Sequence, residues 1–366
     1  MSADRLILGD SLKVLPTLPE GCADAVVTDP PAGISFMGKT WDTFPLRRRD
    51  LKANRGGVKD GKHPRGFGKC DRDGFIAFLS AVMAEALRCL KPGGYALVWA
   101  LPRTSHWTGT ALEDAGFEIR DRISHLFGQG FPKGQGCLKP ACEDWWLCRK
   151  PGRRVLPLGI EECRIGTNAG WAYPNGPGGS EPHHMERGQP KGNGRQPQVA
   201  TAGRWPANLC LSHHPSCNGA CHPECPVRLL DEQSGTSKSS GGKTGRVGCG
   251  GRYNGGWSSE NPGETAGGFG DTGGASRFFY VAKASRRDRG EGNTHPTVKS
   301  TALMRWMVKL VAREGETVLD PFAGSGSTLV ACVQTGRRFV GVEQDPESVL
   351  TANRRIAATV AAREDF

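Results

Sequence analysis

Apolar residues along this 366-residue chain fall into two blocks of clear periodicity, separated by a long stretch that has none. In the first block, Arg5–Leu8 and Asp24–Thr28 read as short buried strands. Each is followed by an acid-bearing turn, Gly9 and Asp10 after the first and Asp29, Pro30 and Pro31 after the second. From Phe75 onward, Phe78, Leu79, Val82, Met83, Ala86, Leu87 and Leu90 recur at steps of three and one. That spacing puts them on one face of an amphipathic helix, which Lys91, Pro92, Gly93 and Gly94 stop. A strand over Tyr95–Leu101, a helix over Ser105–Ala115 closed by Gly116, and a strand over Glu118–Phe127 follow.

The second block repeats this grammar near the C-terminus. A helix over Thr301–Arg313 leads to strand Thr317–Asp320, then a loop from Pro321 to Gly326 and a helix over Ser327–Thr335. Strand Arg338–Val342 ends at Glu343, and a last helix runs to Ala362. Strands alternating with helices predict an α/β fold with a parallel sheet covered on both faces. No internal repeat or heptad run is visible.

Composition changes the picture between the blocks. The chain holds 52 glycines and 25 prolines, about a fifth of its residues against an ordinary share of roughly 12%. Twenty-five of the glycines fall between Gly166 and Gly274, so that segment reads as a long loop-rich insertion in one compact domain. The net charge of +11 is uneven: positions 45–72 hold ten Lys or Arg against three Asp. Such a basic arm is either a solvated loop or a surface that neutralises phosphates. No stretch approaches 18 consecutive apolar residues, and the first residues lack a basic-then-apolar leader. These features predict no membrane span and a cytoplasmic protein. Thirteen scattered cysteines without a secretory leader favour reduced thiols or metal ligands over a disulfide framework.

Candidate chemistry gathers at the strand ends. Asp320 closes a strand, Gly324 and Gly326 permit close backbone approach, and a helix N-terminus follows at once. Glu343 ends the next strand, where a carboxylate can accept both hydroxyls of a ribose. This combination resembles a nucleoside-binding turn, with an ordinary tight turn as the alternative. A further strand-end acid is expected, yet no strand follows the last helix. Arg5–Leu8 with Asp10 and the strand ending at Thr28 and Asp29 supply it if the fold is circularly permuted, an inexpensive change when termini lie close together.

Thr28, Asp29, Pro30, Pro31 and Gly33, followed much later by Asp320, Pro321, Phe322, Ala323, Gly324, Ser325, Gly326, Ser327, Thr328 and Glu343, resemble the beta class of S-adenosylmethionine-dependent DNA amino-methyltransferases. That class carries its catalytic motif before its cofactor motif. Leu138 to Ala141, Arg149 to Pro151 and His295 to Lys299 also match, so the resemblance covers roughly 1–151 and 276–350. It implies a circularly permuted Rossmann-like methyltransferase sheet with a loop-rich target-recognition insertion. The expected divisions are a catalytic half at 1–151, the insertion at 152–275 and a cofactor-binding half at 276–366.

The resemblance also assigns roles. Asp320, Phe322, Gly324 and Gly326, with Ala323 and Ser325 in the same turn, would line the methionine and adenine portions of S-adenosylmethionine. Glu343 would hold its ribose, Asp10 its adenine amine, and Thr297 and Lys299 its methionine carboxylate; a surface lysine at a helix start is the other reading of Lys299. Asp29 and the carbonyl of Pro30 would accept both N–H bonds of an exocyclic amine, freeing its lone pair. Proline at 30 and 31 removes competing donors and stiffens the loop. The implied function is transfer of methyl to N6 of adenine in DNA, after the base leaves the stack. Transfer to N4 of cytosine, to RNA or protein, and DNA binding without efficient turnover are the alternatives. The resemblance leaves oligomeric state open, a dimer included.

One position departs from the pattern. The family places an aromatic, usually Tyr, after Asp-Pro-Pro, and this chain has Ala32, removing about 1–3 kcal/mol of base stacking. Either Phe36 or Trp41 replaces it, or turnover is slow, or catalysis has been lost. Elsewhere, His213, Cys217, Cys221 and Cys225 recur every four residues, with Cys210, His214 and His222 nearby. Pro215 and Pro223 exclude a continuous helix, so 210–225 reads either as a zinc knuckle or as reduced cysteines packed among loops. Trp145 and Trp146 lie in a strand-like run expected in the core.

Overall fold

The computed structural model describes residues 4–33, 69–128, 130, 136, 138–152, 155–166, 171–172, 199–200, 203–218, 220–239, 270–282 and 298–364. Its chain begins with β1 (Arg5–Leu8), a one-turn helix α1 (Ser11–Val14) and β2 (Ala23–Thr28). There follow α2 (Lys69–Cys89), β3 (Leu90–Ala100), α3 (Ser105–Asp114), β4 (Glu118–Leu126), β5 (Cys142–Arg149) and α4 (Ile160–Cys163). Next come β6 (Leu209–Ser212), α5 (Pro226–Ser234) and β7 (Tyr280–Ala282). The last block is α6 (Thr301–Val311), β8 (Thr317–Asp320), α7 (Ser327–Gln334), β9 (Arg338–Glu343) and α8 (Pro346–Glu364).

These strands form one nine-stranded sheet in the order β1, β9, β8, β2, β3, β5, β4, β6, β7. The ends of the chain interleave: β1 pairs with β9, and β8 pairs with both β9 and β2, all in parallel. That is the permuted arrangement expected from the strand-end acids.

The sheet is mixed rather than wholly parallel, because β5 runs against both of its neighbours, β3 and β4. Phe127 and Gly128 both donate their N–H groups to the carbonyl of Ala141, so the chain folds straight back from β4 into β5, as an antiparallel connection allows. A second difference concerns the segment read as an insertion. Its β6 joins the main sheet in parallel with β4, and β7 continues it.

The core has two layers because the central strands are buried on both faces, which is why they read as nearly continuous apolar runs. In β2, Ala25 and Val27 face Met304, Met307 and Leu329, whereas Val26 faces Phe75, Leu79 and Met83. This is the period-two alternation of a strand between two helical layers. Helix α6 buries Leu303, Met304, Met307 and Leu310 in the first layer; α2 and α3 fill the second. Helix α2 begins at Lys69, six residues before the apolar stripe that predicts it. Trp145 is fully buried, as its strand-like run predicts. Among the described residues no helix is long and apolar enough to cross a membrane.

Candidate functional site

Parallel pairing brings four strand ends to one edge. Leu8 lies beside Glu343, Asp320 beside Gly341 and Val26 beside Leu319. Asp10, Glu343, Asp320 and Asp29 therefore follow one another across β1, β9, β8 and β2, with strand axes about 4.8 Å apart. Asp10 accepts from the Leu12 N–H at 3.0 Å and caps α1. Glu343 accepts from the Gly324 N–H and the Asp345 N–H, each at 2.8 Å. Asp320 accepts from the Thr28 hydroxyl at 2.6 Å and the Phe322 N–H at 3.1 Å.

The loop between β8 and α7 is held open by glycine. Gly324 and Gly326 have φ of 50° and 80°, and a Cβ on Gly326 would lie 2.8 Å from that of Ala352. Phe322 is half-buried, its ring 6.0 Å from that of Phe78. In the same loop, Ala323 packs in the core, and Ser325 receives Arg355 at its carbonyl (2.5 Å) and its hydroxyl (3.1 Å).

Asp29 sits one residue beyond β2, with Pro30 buried behind it. The turn is fastened where the Thr104 hydroxyl donates to the carbonyl of Ala32 at 3.1 Å. At Gly33, φ is 69° and a Cβ would meet the Phe75 ring at 2.6 Å, so only glycine fits. The Asp29 carboxylate is 25% exposed and lies 3.5 Å from the ammonium of Lys299. Lys299, expected beside the cofactor's carboxylate, has its ammonium between two acids. It is 2.7 Å from Glu143 and 4.1 Å from the centre of the Trp99 ring.

Glu143 extends the array. It accepts from Trp99 Nε1 at 2.6 Å, and its other oxygen lies 2.8 Å from His125 Nδ1. His125 Nε2 is 2.7 Å from the Ser212 hydroxyl. Ionised carboxylates only accept, so Nδ1 of His125 is the protonated nitrogen. In sheet order the line runs from Asp29 past β2 through Trp99 on β3, Glu143 on β5 and His125 on β4 to Ser212 on β6.

Charges in this array perturb one another. Burial pushes the Asp29 carboxyl up to about 7; Lys299 opposes that rise, while the Glu143 and Asp320 carboxylates add to it. Burial also pushes Asp320 up to about 6, against the pull of the Thr28 and Thr328 hydroxyls. Burial works to raise Glu143, but Lys299 and His125 outweigh it and hold that carboxyl well below the usual range.

Sequence reasoning passed over Glu143, His125, Trp99 and Ser212. The available signal was Glu143 and Asp144 heading the apolar Trp145–Cys148 run, since a carboxylate in a buried strand requires a partner. Phe36, Trp41, Thr297 and positions 45–68 of the basic arm lie outside the described residues.

At the far end of the sheet, His213 follows β6 and Cys225 caps α5. Ligand atoms of His213, Cys217, Cys221 and Cys225 all lie within 4.8 Å of one another. His213 Nδ1 is 3.5 Å from the Cys221 sulfur and 3.4 Å from that of Cys225. Tetrahedral zinc, with bonds of about 2.0–2.3 Å, needs ligand separations close to these. The backbone N–H of His222 donates to Cys217 Sγ at 3.2 Å, an outer contact that suits a bound thiolate. Cys210 stands apart, its Sγ facing the carbonyl of Ser124. His214 stacks on His222 at 4.1 Å.

Matching strand ends, glycine loop and Asp-Pro-Pro turn define a class. The DNA methylase family model for N6 and N4 methyltransferases matches residues 23–354, and the chain belongs to that family. Among curated proteins it is similar to Type II methyltransferase M2.DpnII of Streptococcus pneumoniae, with 39% identity over 64 residues. That stretch covers 18% of this chain and 24% of the relative, so the match spans about a quarter of the relative's length. Among solved structures, the cytosine-N4-specific PvuII DNA methyltransferase is similar at 14% identity and a TM-score of 0.50, over 99% of this chain and 92% of that one. The M1.HpyAVI-SAM complex is similar at 14% identity and a TM-score of 0.41, over 96% and 98%.

Proposed function

We propose that this protein transfers a methyl group from S-adenosylmethionine to the N6 amine of adenine in DNA. The observation that carries the reading is the 2.6 Å bond from Thr28 to Asp320, which joins the Asp29-Pro30 turn to the glycine loop on adjacent strands. The residues present fit S-adenosylmethionine: the Gly324 and Gly326 turn leaves backbone where a Cβ would intrude, and strand-end carboxylates suit ribose and amine groups. Asp320, Phe322, Gly324, Gly326, Glu343 and Asp10 would hold it. When bound, it supplies an electrophilic methyl on a sulfonium.

Asp29 and the Pro30 carbonyl accept the two amine N–H bonds and draw the nitrogen toward tetrahedral geometry. The freed lone pair would form the N–C bond as the methyl–sulfur bond breaks with its electron pair left on sulfur, and the proton that nitrogen sheds would pass to the Asp29 carboxylate to which it is hydrogen-bonded. Rate comes mainly from positioning. The target base must first be flipped out of its stack, since no catalytic group reaches it inside a duplex. Asp at position 29 supports adenine, because the family's cytosine members resemble this chain with Ser there.

Segment 152–275, with the sheet extension it supplies, is the target-recognition part of this reading, and DNA is the partner. His213, Cys217, Cys221 and Cys225 hold a structural zinc ion that replaces an apolar core in a loop-rich region. Two measurements test these assignments. Labelled S-adenosylmethionine is incubated with unmethylated duplex DNA, RNA or protein, and the DNA digested to nucleosides. N6-methyladenine is expected; N4-methylcytosine, or label in RNA or protein alone, overturns the adenine assignment. Metal analysis of untagged protein should find about one equivalent of zinc, and less than half an equivalent argues against the knuckle.

A further inference from the structure

The candidate site contains a cation that the methyl-transfer reading does not use. Lys299 is 13% exposed, and its ammonium lies 2.7 Å from Glu143, 3.5 Å from Asp29, 4.1 Å from the centre of the Trp99 ring and 5.8 Å from that of Trp145. The distances rank these contacts. Glu143 is the anchor, already fixed by Trp99 Nε1 and by His125, whose far nitrogen lies against Ser212. Asp29, 25% exposed, is the looser partner.

We propose that Lys299 is a positioning residue for Asp29: clamped by Glu143 and Trp99, its ammonium orients the Asp29 carboxylate and keeps it ionised as a hydrogen-bond acceptor. The inference rests on the methyl-transfer reading but assigns Lys299 to the target amine's side of the site, and not to the methionine carboxylate. A neutral carboxyl at position 29 gives up acceptor capacity to its own proton, so it cannot hold the target amine in the same way.

The balance of charge explains why a cation is needed. Asp29 faces Lys299 from the segment before α6, Glu143 from β5 and Asp320 from β8. Two of those three neighbours are acids, and partial burial already favours the protonated form. Lys299 is the group that opposes them. Glu143 therefore acts on Asp29 in two ways: its charge raises the Asp29 pKa, while its grip places the ammonium that lowers it. The Trp99 ring closes the third side, with the geometry of a cation–π contact.

The test uses the full-length protein, with Lys299→Met, Lys299→Arg and Glu143→Gln beside the parent. Three quantities are read: the pH profile of methyl transfer, S-adenosylmethionine affinity by calorimetry, and the Asp29 carboxyl titration followed by carbon NMR. Lys299→Met should raise the Asp29 titration and the acid limb of the profile by at least about one pH unit. At neutral pH, kcat falls about fivefold or more, with S-adenosylmethionine affinity changed less than about threefold. Lys299→Arg should restore most of the loss.

Glu143→Gln removes the repelling charge but keeps a side-chain carbonyl to hold the ammonium, so both readouts should move downward, the opposite direction, which a general loss of folding cannot produce. The titration needs no turnover, so it stands even if the proposed methyl acceptor is wrong. The assignment is overturned if Lys299→Met leaves the Asp29 titration in place. It is also overturned if that variant chiefly weakens S-adenosylmethionine binding, because Lys299 would then belong to the methionine carboxylate.

Discussion

Thr28 and Asp320 are 292 positions apart, and the hydroxyl of the first donates to the carboxylate of the second at 2.6 Å in the interior. Thr28 is fully buried and Asp320 is 2% exposed. The bond crosses from β2 to β8, linking the turn that carries Asp29 to the strand that opens the glycine loop. Thr28→Val keeps the shape and removes the donor. It should destabilise the protein by about 1–3 kcal/mol, since a buried carboxylate loses a partner. It should also weaken S-adenosylmethionine binding. Denaturant unfolding and calorimetry check both effects; unchanged binding would show that the bond serves the fold alone.

Gly326 gives a prediction with an internal control. An alanine there meets two penalties: a left-handed backbone at φ 80° and a Cβ 2.8 Å from that of Ala352. Gly315 has φ 78° and open space where a Cβ would stand, so Gly315→Ala carries the backbone cost alone, about 1–2 kcal/mol. Gly326→Ala should cost more than that, with a further loss of S-adenosylmethionine affinity that Gly315→Ala does not show. Equal losses of stability in the two variants would mean that α8 yields to the extra methyl.

The pH dependence follows from Asp29. Its carboxyl is raised to about 7, and the ionised form is the acceptor. Methyl transfer should therefore rise with pH through about 7 and fall away on the acid side. Stability has the opposite slope. The folded protein holds this proton at pH values where the unfolded chain has released it, so stability declines as pH rises from about 4 to 7. Asp29→Asn removes that decline. The variant should lose methyl transfer and be more stable than the parent at pH 8, by about 1–3 kcal/mol. A variant less stable than the parent at pH 8 would place the cost of Asp29 elsewhere.

The parts of this protein that could be read from sequence are those whose cause is local. Strands Arg5–Leu8 and Thr317–Asp320 coincide with their expected bounds because apolar runs end in an acid and a turn. The permuted order was legible too, since it follows from counting strand ends that bear carboxylates. What escaped was set by pairing across the sheet. The reversed direction of β5 depends on how Phe127 and Ala141 meet, not on any residue within the strand. Glu143 and His125 stand directly opposite each other on neighbouring strands, yet they are 18 positions apart in sequence. Lys299 reads in sequence as a contact of the cofactor's carboxylate or as a lysine at a helix start, and nothing there signals that Asp29 and Glu143 lie on either side of it.

Zinc removal tests the remaining assignment, and its expected effect is regional. Among the described residues, a small apolar cluster lies beyond β4: Leu211, Cys225 and Val227 are buried, with Leu126, Leu230, Phe279 and Val281 half-covered around them. That cluster is small against the chain entropy of β6 and α5. A metal joining His213, after β6, to Cys225, before α5, supplies the missing constraint. Chelation, or Cys217→Ser combined with Cys221→Ser, should therefore strip amide-exchange protection from Leu209–Ser212 and Pro226–Ser234 and leave Thr317–Asp320 protected. Because Ser212 adjoins His213 and contacts His125, the loss should extend along the polar line and lower methyl transfer without a matching fall in S-adenosylmethionine affinity. Full protection of β6 in metal-free protein would leave these cysteines as packed thiols and nothing more.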